Sequence, residues 1–331
     1  MNFDLGAVEL AWRDKASALG RSVAPDPAAA AVVAGAARAG LLDPAADLLT
    51  VTVAVEALAQ ESPAAAVALA LHSAVALTLH HQGAGGHGGD RYSALLRGEV
   101  VAAVGLSSDD MPVEQDGRLS GRAPWVAPVT SRGMAVVGPR GAAERVAYLV
   151  ALDAPGVTIE PVATAGLAGL VCGHVRFTDA ACEPIGATPP IMSRVRILMA
   201  AAGLGMGRRA LREALAAAKA ARTAAAGEQT VQGLLADAAT ELDAAMLMTW
   251  KAAVGATEAS PLRLADASLA KLMATSAAQR AVERATQVVG ADSFERGHVI
   301  ERLAQDVRAL ELFAGRTEAL RAAAAEEVLP T

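Results

Sequence analysis

Val100-Val101-Ala102-Ala103-Val104, Met134-Ala135-Val136-Val137, Val146-Ala147-Tyr148-Leu149-Val150 and Cys172-Gly173-His174-Val175-Arg176-Phe177 set the architecture of this chain. These short apolar runs, rich in β-branched residues, are separated by Gly and Pro turns. Their texture predicts antiparallel strands in a small barrel or sandwich between about Glu99 and Cys182. On the N-terminal side, apolar residues recur at helical spacing from Val8 to about Leu79, and Pro25, Pro27, Pro44 and Pro63 each mark a helix boundary. On the C-terminal side the helical period returns after Pro189-Pro190 and persists. There Leu234, Leu235, Ala238, Leu242 and Ala245 share one face, with Gln232, Asp237, Glu241 and Asp243 mostly elsewhere, which is the pattern of an amphipathic bundle helix. Ser260-Pro261 reads as an N-cap followed by Pro at the first helical position, opening a helix that runs towards Gly290. The predicted fold class is therefore α+β, mostly α. Residues 1–97 form an N-terminal helical domain, 98–188 a central antiparallel β-barrel or sandwich, and 189–331 a C-terminal bundle of about four long helices.

The 331 residues are enough for two or three domains, or one large core with subdomains. The composition is 53% hydrophobic but only 3% aromatic, so Ala, Leu and Val fill the core and favour closely packed helices. The net charge is −6 and no long basic run interleaves with aromatics, which excludes a nucleic-acid binder. At Met1-Asn2-Phe3-Asp4-Leu5 there is no basic region followed by an apolar one, so the expected location is cytoplasmic. The longest apolar stretch, Pro63 to Leu79, falls short of the ~20 residues of a spanning helix and contains His72 and Ser73. It is read as a buried core helix, and no membrane insertion is expected. Cys172 and Cys182, the only cysteines, cannot build a disulfide scaffold or a cysteine-rich metal site and are expected to be reduced and structural.

Several local patterns, in order along nearly the whole length, carry a family resemblance. Leu69-Ala70-Leu71-His72-Ser73 sits on a late N-terminal helix, and Leu95-Leu96-Arg97-Gly98-Glu99 leads into the first strand. The segment from Asp116-Gly117-Arg118 through Gly121-Arg122-Ala123-Pro124-Trp125 resembles "dG..lnG.K.wit". Asp153-Ala154-Pro155-Gly156-Val157 and Val175-Arg176-Phe177-Thr178-Asp179-Ala180 resemble "pGv" and "v.f.dv" strands. Ala200-Ala201-Ala202-Gly203-Leu204-Gly205 is similar to the "aa.alG" start of a first C-terminal helix. Gln229-Thr230-Val231-Gln232 through Leu235-Ala236-Asp237 is similar to "Q.vq..lAdm", and Gln287-Val288-Val289-Gly290 to "qi.GG". Together these resemble the acyl-CoA dehydrogenase family. The resemblance implies the acyl-CoA dehydrogenase fold, with FAD held between subunits and an acyl-CoA threaded beside it. It also implies a Glu base that takes the α-proton while the β-hydrogen leaves as hydride to the flavin.

Neither position at which the family carries that base holds a carboxylate. In Gln305-Asp306-Val307-Arg308-Ala309-Leu310-Glu311-Leu312-Phe313-Ala314-Gly315-Arg316-Thr317-Glu318, which resembles the "RD.r" and "EGT.qi" motifs, the Glu position is Ala314. The second position corresponds to Val195, ahead of the Arg196 that opens the first C-terminal helix. Glu311 and Glu318 would share a helical face with Ala314 but sit about one turn, ~5 Å, away, and are read as solvent-facing charges. No catalytic residue is therefore assigned in this chain. The flavin contacts that the resemblance implies are also eroded. The "TEP.aGSD" loop is Gly105-Leu106-Ser107-Ser108-Asp109-Asp110-Met111-Pro112, the "wit" segment is Trp125-Val126-Ala127, and "R..fG" reduces to Arg222-Thr223-Ala224-Ala225. Trp125, Arg222, Gln287 and Gly290 remain as cofactor-binding candidates. Gln287 and Gly290 would face the FAD of an adjoining subunit; equally, Gly290 can be a helix C-cap and Gln287 a surface residue.

His80-His81-Gln82-Gly83-Ala84-Gly85-Gly86-His87-Gly88-Gly89 lacks ligand-spaced carboxylates or cysteines and a following Lys-Ser/Thr. It is read as a connecting loop, neither a metal site nor a phosphate loop. Arg208, Arg209, Arg212, Lys219 and Arg222 place charge along one helix, either for CoA or FAD phosphates or as a solvated or subunit-facing stripe. The resemblance implies the short subunit of an α2β2 acyl-CoA dehydrogenase of the steroid-CoA type. In that arrangement FAD is shared with, or held mainly by, a second family subunit that carries the Glu. Acyl-CoA is the substrate and electron-transfer flavoprotein or a similar carrier the acceptor. Two alternatives stand beside this: a homo-oligomeric enzyme of this fold with a relocated base or altered chemistry, and a non-catalytic scaffold or acyl-CoA-binding subunit.

Overall fold

The computed structural model describes residues 4–81, 89–106, 111–138, 146–220, 228–254 and 262–329. Proline and capping chemistry punctuate the N-terminal helices. α1 (Ala7–Ser22) stops before Pro25, and α2 (Ala29–Ala39) ends on Gly40 in the left-handed region at φ 69°. α3 (Leu48–Glu61) is capped by Asp47, whose carboxylate accepts the Thr50 N–H at 2.7 Å. α4 (Pro63–His81) takes Pro63 as its first residue, where no N–H is missed, and α5 (Gly89–Leu96) follows. α4 is the one described helix long and apolar enough to cross a membrane, but 89% of its most apolar window is buried inside the protein, as expected of a core helix. Within it His72 is wholly buried. Nδ1 accepts the Ala102 N–H at 3.1 Å, which leaves Nε2 to donate to the Leu95 carbonyl at 3.2 Å. Burial lowers its pKa to about 4, so a neutral imidazole ties α4 to the start of the sheet region.

The middle region contains β1 (Ala102–Gly105), β2 (Val113–Gln115), β3 (Arg118–Val126), β4 (Met134–Val137), β5 (Val146–Ala151), β6 (Val157–Val162), β7 (Cys172–Ala181) and β8 (Glu183–Ala187). They form two four-stranded sheets, β1-β4-β5-β8 and β2-β3-β7-β6. An isolated bridge between Val104 and Ala127 joins the sheets, and Ala103, Leu119, Val126 and Phe177 pack in a core cluster of their own. One expectation is corrected here: β1 and β4 pair in parallel, from Ala102 opposite Met134 to Gly105 opposite Val137, while the other pairings are antiparallel. Between them the chain crosses to the other sheet through β2 and β3. It therefore returns in the direction in which it left.

The C-terminal region comprises α6 (Thr188–Ala220), α7 (Gln229–Val254), α8 (Leu264–Val289), α9 (Val299–Leu312) and α10 (Thr317–Val328), with a 3-10 turn at Gly290–Phe294. Three helices are long and α9 and α10 are short. Ser260-Pro261 lies outside the described residues, and α8 begins at Leu264 with Arg263 in the cap position. α6 contacts α3, α4, α7, α8 and α9, so from Val195 to Gly207 every residue is buried. Gly205 permits the closest of these approaches, since a Cβ there would lie 2.2 Å from the Glu56 carbonyl oxygen. On α7, Ala238, Leu242 and Ala245 are buried as their spacing predicts.

Candidate functional site

A cleft of about 1560 Å³ opens where the ends of β1 and β3 meet the first turns of α6 and the connection between α9 and α10. Trp125, Val195 and Ala314, far apart in sequence, all line it. α9 ends at Leu312 with Phe313 as its cap. Ala314 then takes φ 57° and Gly315 φ 115°, both in the left-handed region, before α10 starts. Ala314 is thus on a turn, and the helical spacing used above for Glu311 and Glu318 does not apply. Glu318 is exposed, but Glu311 is not a solvent-facing charge. Its Oε2 accepts from Gln279 Nε2 at 2.6 Å and Arg308 Nη1 at 3.2 Å, and its Oε1 from Thr317 Oγ1 at 3.0 Å. Burial pushes its carboxyl up, yet these donors and the charges of Arg308 and Lys271 outweigh that and hold it below its ordinary value. Neither Glu311 nor Glu318 lines the cleft.

Two buried cations hold the turn. Arg196 donates from Nε to the Ala314 carbonyl at 3.1 Å and from Nη1 to Ser268 Oγ at 2.7 Å. The Nζ of Lys271, fully buried, donates to the carbonyls of Glu311 at 3.0 Å and Gly315 at 2.9 Å. Burial, reinforced by the Arg196 charge, lowers the Lys271 pKa to about 7 despite the opposing pull of Glu311. Val195 and Arg196 do not open a helix; they lie two turns inside α6, which starts at Thr188. Among the described residues lining the cleft, Arg196, Arg308 and Arg316 are charged, and none is Asp or Glu.

At the Trp125 end, the ring stands edge-on to His174 with centroids 5.4 Å apart, and the Trp125 N–H donates to His174 Nδ1 at 3.3 Å. The Ala127 N–H is spent on the Val104 carbonyl at 3.2 Å. A flavin edge seated here would find the backbone donors of residues 125 and 127 engaged and a methyl group at Ala127. These described residues do not fit a flavin held by this chain alone. Arg222 lies outside the described residues. Gln287 is exposed near the end of α8, and Gly290 is its C-cap at φ 77°, with its N–H on the Thr286 carbonyl. A Cβ at Gly290 would meet nothing within 4 Å, so the glycine answers the backbone angle and not a close approach within the chain. Neither residue lines the cleft.

Of the basic stripe, Arg208, Arg209 and Arg212 are engaged in ion pairs, most of them to other helices. Arg208 Nε bonds Glu56 Oε1 at 2.7 Å and Nη2 meets Asp243 at 3.1 Å, Arg209 pairs with Glu61 and Glu213, and Arg212 with Glu61. Sequence reasoning missed Asp306, whose Oδ1 accepts the Leu167 N–H at 2.6 Å and pins the loop that lines the cleft at Ala163 to Gly166. Burial raises its pKa to about 6. Its place in the segment resembling "RD.r" was the available signal. Burial likewise raises Cys172, another lining residue, to about 11, so its thiol stays protonated. No described group of three or more His, Cys, Asp or Glu could hold a metal. What the described cleft can do is enclose an apolar chain and attract negative charge. It offers no carboxylate that could take a proton from carbon.

Three comparisons bear on this geometry. The chain aligns along 99% of its length with the full length of butyryl-CoA dehydrogenase from Megasphaera elsdenii, with a TM-score of 0.87 and 19% identity, so the fold is that of the acyl-CoA dehydrogenases. Residues 190–329 match the family described as acyl-CoA dehydrogenase, C-terminal domain. A 3-sulfinopropanoyl-CoA desulfinase of Paraburkholderia xenovorans (strain LB400) is 30% identical over 60% of this chain and 51% of its own length. The probable acyl-CoA dehydrogenase YngJ of Bacillus subtilis (strain 168) is 29% identical over 55% and 52%. The chain thus spans about half the length of these curated relatives.

Proposed function

We propose that this chain is the base-less subunit of a hetero-oligomeric, FAD-dependent acyl-CoA dehydrogenase that desaturates an acyl-CoA at the α,β bond. A partner of the same fold supplies the Glu and holds most of the flavin. The observation that carries this reading is the lining of the cleft: Val195 and Ala314, the two places where the family's base would stand, come together there with no described carboxylate beside them. The engaged donors around Trp125 and Ala127 point the same way. Gln287, exposed near the end of α8, and the half-buried Gly290 that caps it are then placed to meet the adenosine end of a partner's FAD. A cleft of about 1560 Å³ exceeds the roughly 300–1,000 Å³ of common ligand pockets and suits a bulky thioester, a steroid side-chain CoA being the candidate. Electron-transfer flavoprotein or a similar carrier would reoxidise the flavin.

The test is to produce the chain alone and together with a Glu-bearing acyl-CoA dehydrogenase chain of the same genome, then measure native mass and bound flavin. A colourless single chain and a yellow α2β2 complex with about one flavin per pair of unlike chains are expected. A yellow homo-oligomer of the single chain would overturn the reading. One observation favours a second reading, altered chemistry in a homo-oligomer. The cleft is cationic without a carboxylate, and a relative bears the name of a desulfinase, an activity in which the departing group, not a proton, leaves the carbon.

A further inference from the structure

Of the cations around the cleft, Arg308 is paired with an acid, Glu311, while Arg196 and Arg316 have no ion pair to a described residue. Arg196 is 8% exposed, touches no carboxylate and spends Nε and Nη1 on a carbonyl and a hydroxyl. Its Nη2 has no described acceptor and lies 3.3 Å from where a Cβ on Gly315 would stand, on the side where Gly315 itself lines the cleft. Behind it Lys271 is bonded to backbone carbonyls alone. Arg308 and Arg316, both exposed, line the cleft too; Arg308 shares Nη1 with Glu311, and the Arg316 guanidinium has no hydrogen bond or ion pair to a described residue. Glu311, the acid paired with Arg308, has both oxygens taken and stays outside the lining. A buried guanidinium without an anion carries an uncompensated desolvation cost, and a ligand that brings the anion recovers it. The planar fork of Arg suits a carboxylate, which it can bind through two parallel hydrogen bonds.

We propose that the cleft takes an acyl group bearing a second, negatively charged carboxylate, seated between the Arg196 fork and the guanidiniums of Arg308 and Arg316 beside the Ala314 turn. This rests on the cleft being an acyl-CoA site, as proposed above.

The full-length chain, alone and in its complex, would be titrated calorimetrically at low ionic strength with succinyl-CoA, with butanoyl-CoA as its uncharged counterpart of equal carbon count, with free CoA and with glutarate. Succinyl-CoA should bind about tenfold more tightly than butanoyl-CoA or better. The double variant Arg308→Gln/Arg316→Gln, which alters only exposed side chains, should abolish that preference and leave butanoyl-CoA binding unchanged. Equal affinities, or a preference that survives the double variant, would overturn the proposal. So would a tenfold loss of free CoA binding in the variant, which would assign the arginines to phosphate. If neither thioester binds while glutarate does, and the variant abolishes glutarate binding, the acyl-CoA reading falls and the carboxylate site stands. If glutarate also fails to bind, both fall.

Discussion

Lys271 makes the consequences of single residues measurable. Its folded pKa of about 7 lies below the ordinary value of 10.5, so between those values the unfolded chain binds the proton that the folded chain has released. Stability therefore rises with pH across that window, by up to about 1.4 kcal/mol per unit, and below pH 7 the full penalty of the buried ammonium is present. Lys271→Met should remove this rise, read as chemical denaturation midpoints at pH 7, 8 and 9; an unchanged slope would place its origin elsewhere. Asp306 has the opposite sign of dependence. Its pKa is raised from 3.8 to about 6, so its contribution falls as pH climbs through that interval. Asp306→Asn keeps an oxygen to accept the Leu167 N–H and should flatten the profile between about pH 4 and 6 without loosening the loop, which hydrogen exchange at Leu167 would report. Ala314 and Val195 were legible in the sequence because the resemblance fixes their places by neighbouring motifs. The clamp on the Ala314 turn was not, because Arg196 and Lys271 reach it across sequence separations of 118 and 44 residues, through carbonyls that no motif records.

Between elements, the docking of α3 on α6 depends on a missing side chain and a buried pair. Gly205→Ala would drive a Cβ to 2.2 Å from the Glu56 carbonyl oxygen, where backbone rather than a flexible side chain must yield. A loss of at least about 1–3 kcal/mol is expected, seen as a lowered thermal midpoint. Beside it, burial pushes Glu56 above its ordinary value even though Arg208 pulls it down. Arg208→Met should cost about 3–5 kcal/mol by stranding that carboxylate, and adding Glu56→Leu should recover much of the loss; a double variant as unstable as the single would refute the pair's role. The helices were readable because their Pro boundaries and apolar period are local signals. The sheets were less so. β3 carries Gly121 and Pro124 and is interrupted by register shifts, and β8 buries Ile185 alone, so neither has the alternation that marks a strand. The parallel β1–β4 pair is set by the path through the other sheet and has no local signature.

Taken whole, the molecule leaves apolar side chains uncovered on its helical bundle. Phe294 is 76% exposed at the end of the 3-10 turn that begins at Gly290, and Leu247, Met248 and Val254 are exposed on α7. Single exposed hydrophobes are ordinary. Phe294, however, stands four residues beyond Gly290 and adjoins the end of α8 where Gln287 is exposed, the place proposed to meet a partner's FAD. A large aromatic there would be the anchor of such a contact, because rings bury much area at little cost in rotamer freedom. Phe294→Ser should leave the isolated chain's thermal midpoint within the small range of surface changes, about 0.5 kcal/mol. In the co-produced pair the same substitution should lower the yield of the mixed complex and its retained flavin, and Gln287→Ala should lower flavin retention while sparing the mass. If the pair forms in full with both substitutions present, the partner docks elsewhere on the bundle, and Gly290 is a helix cap and nothing more.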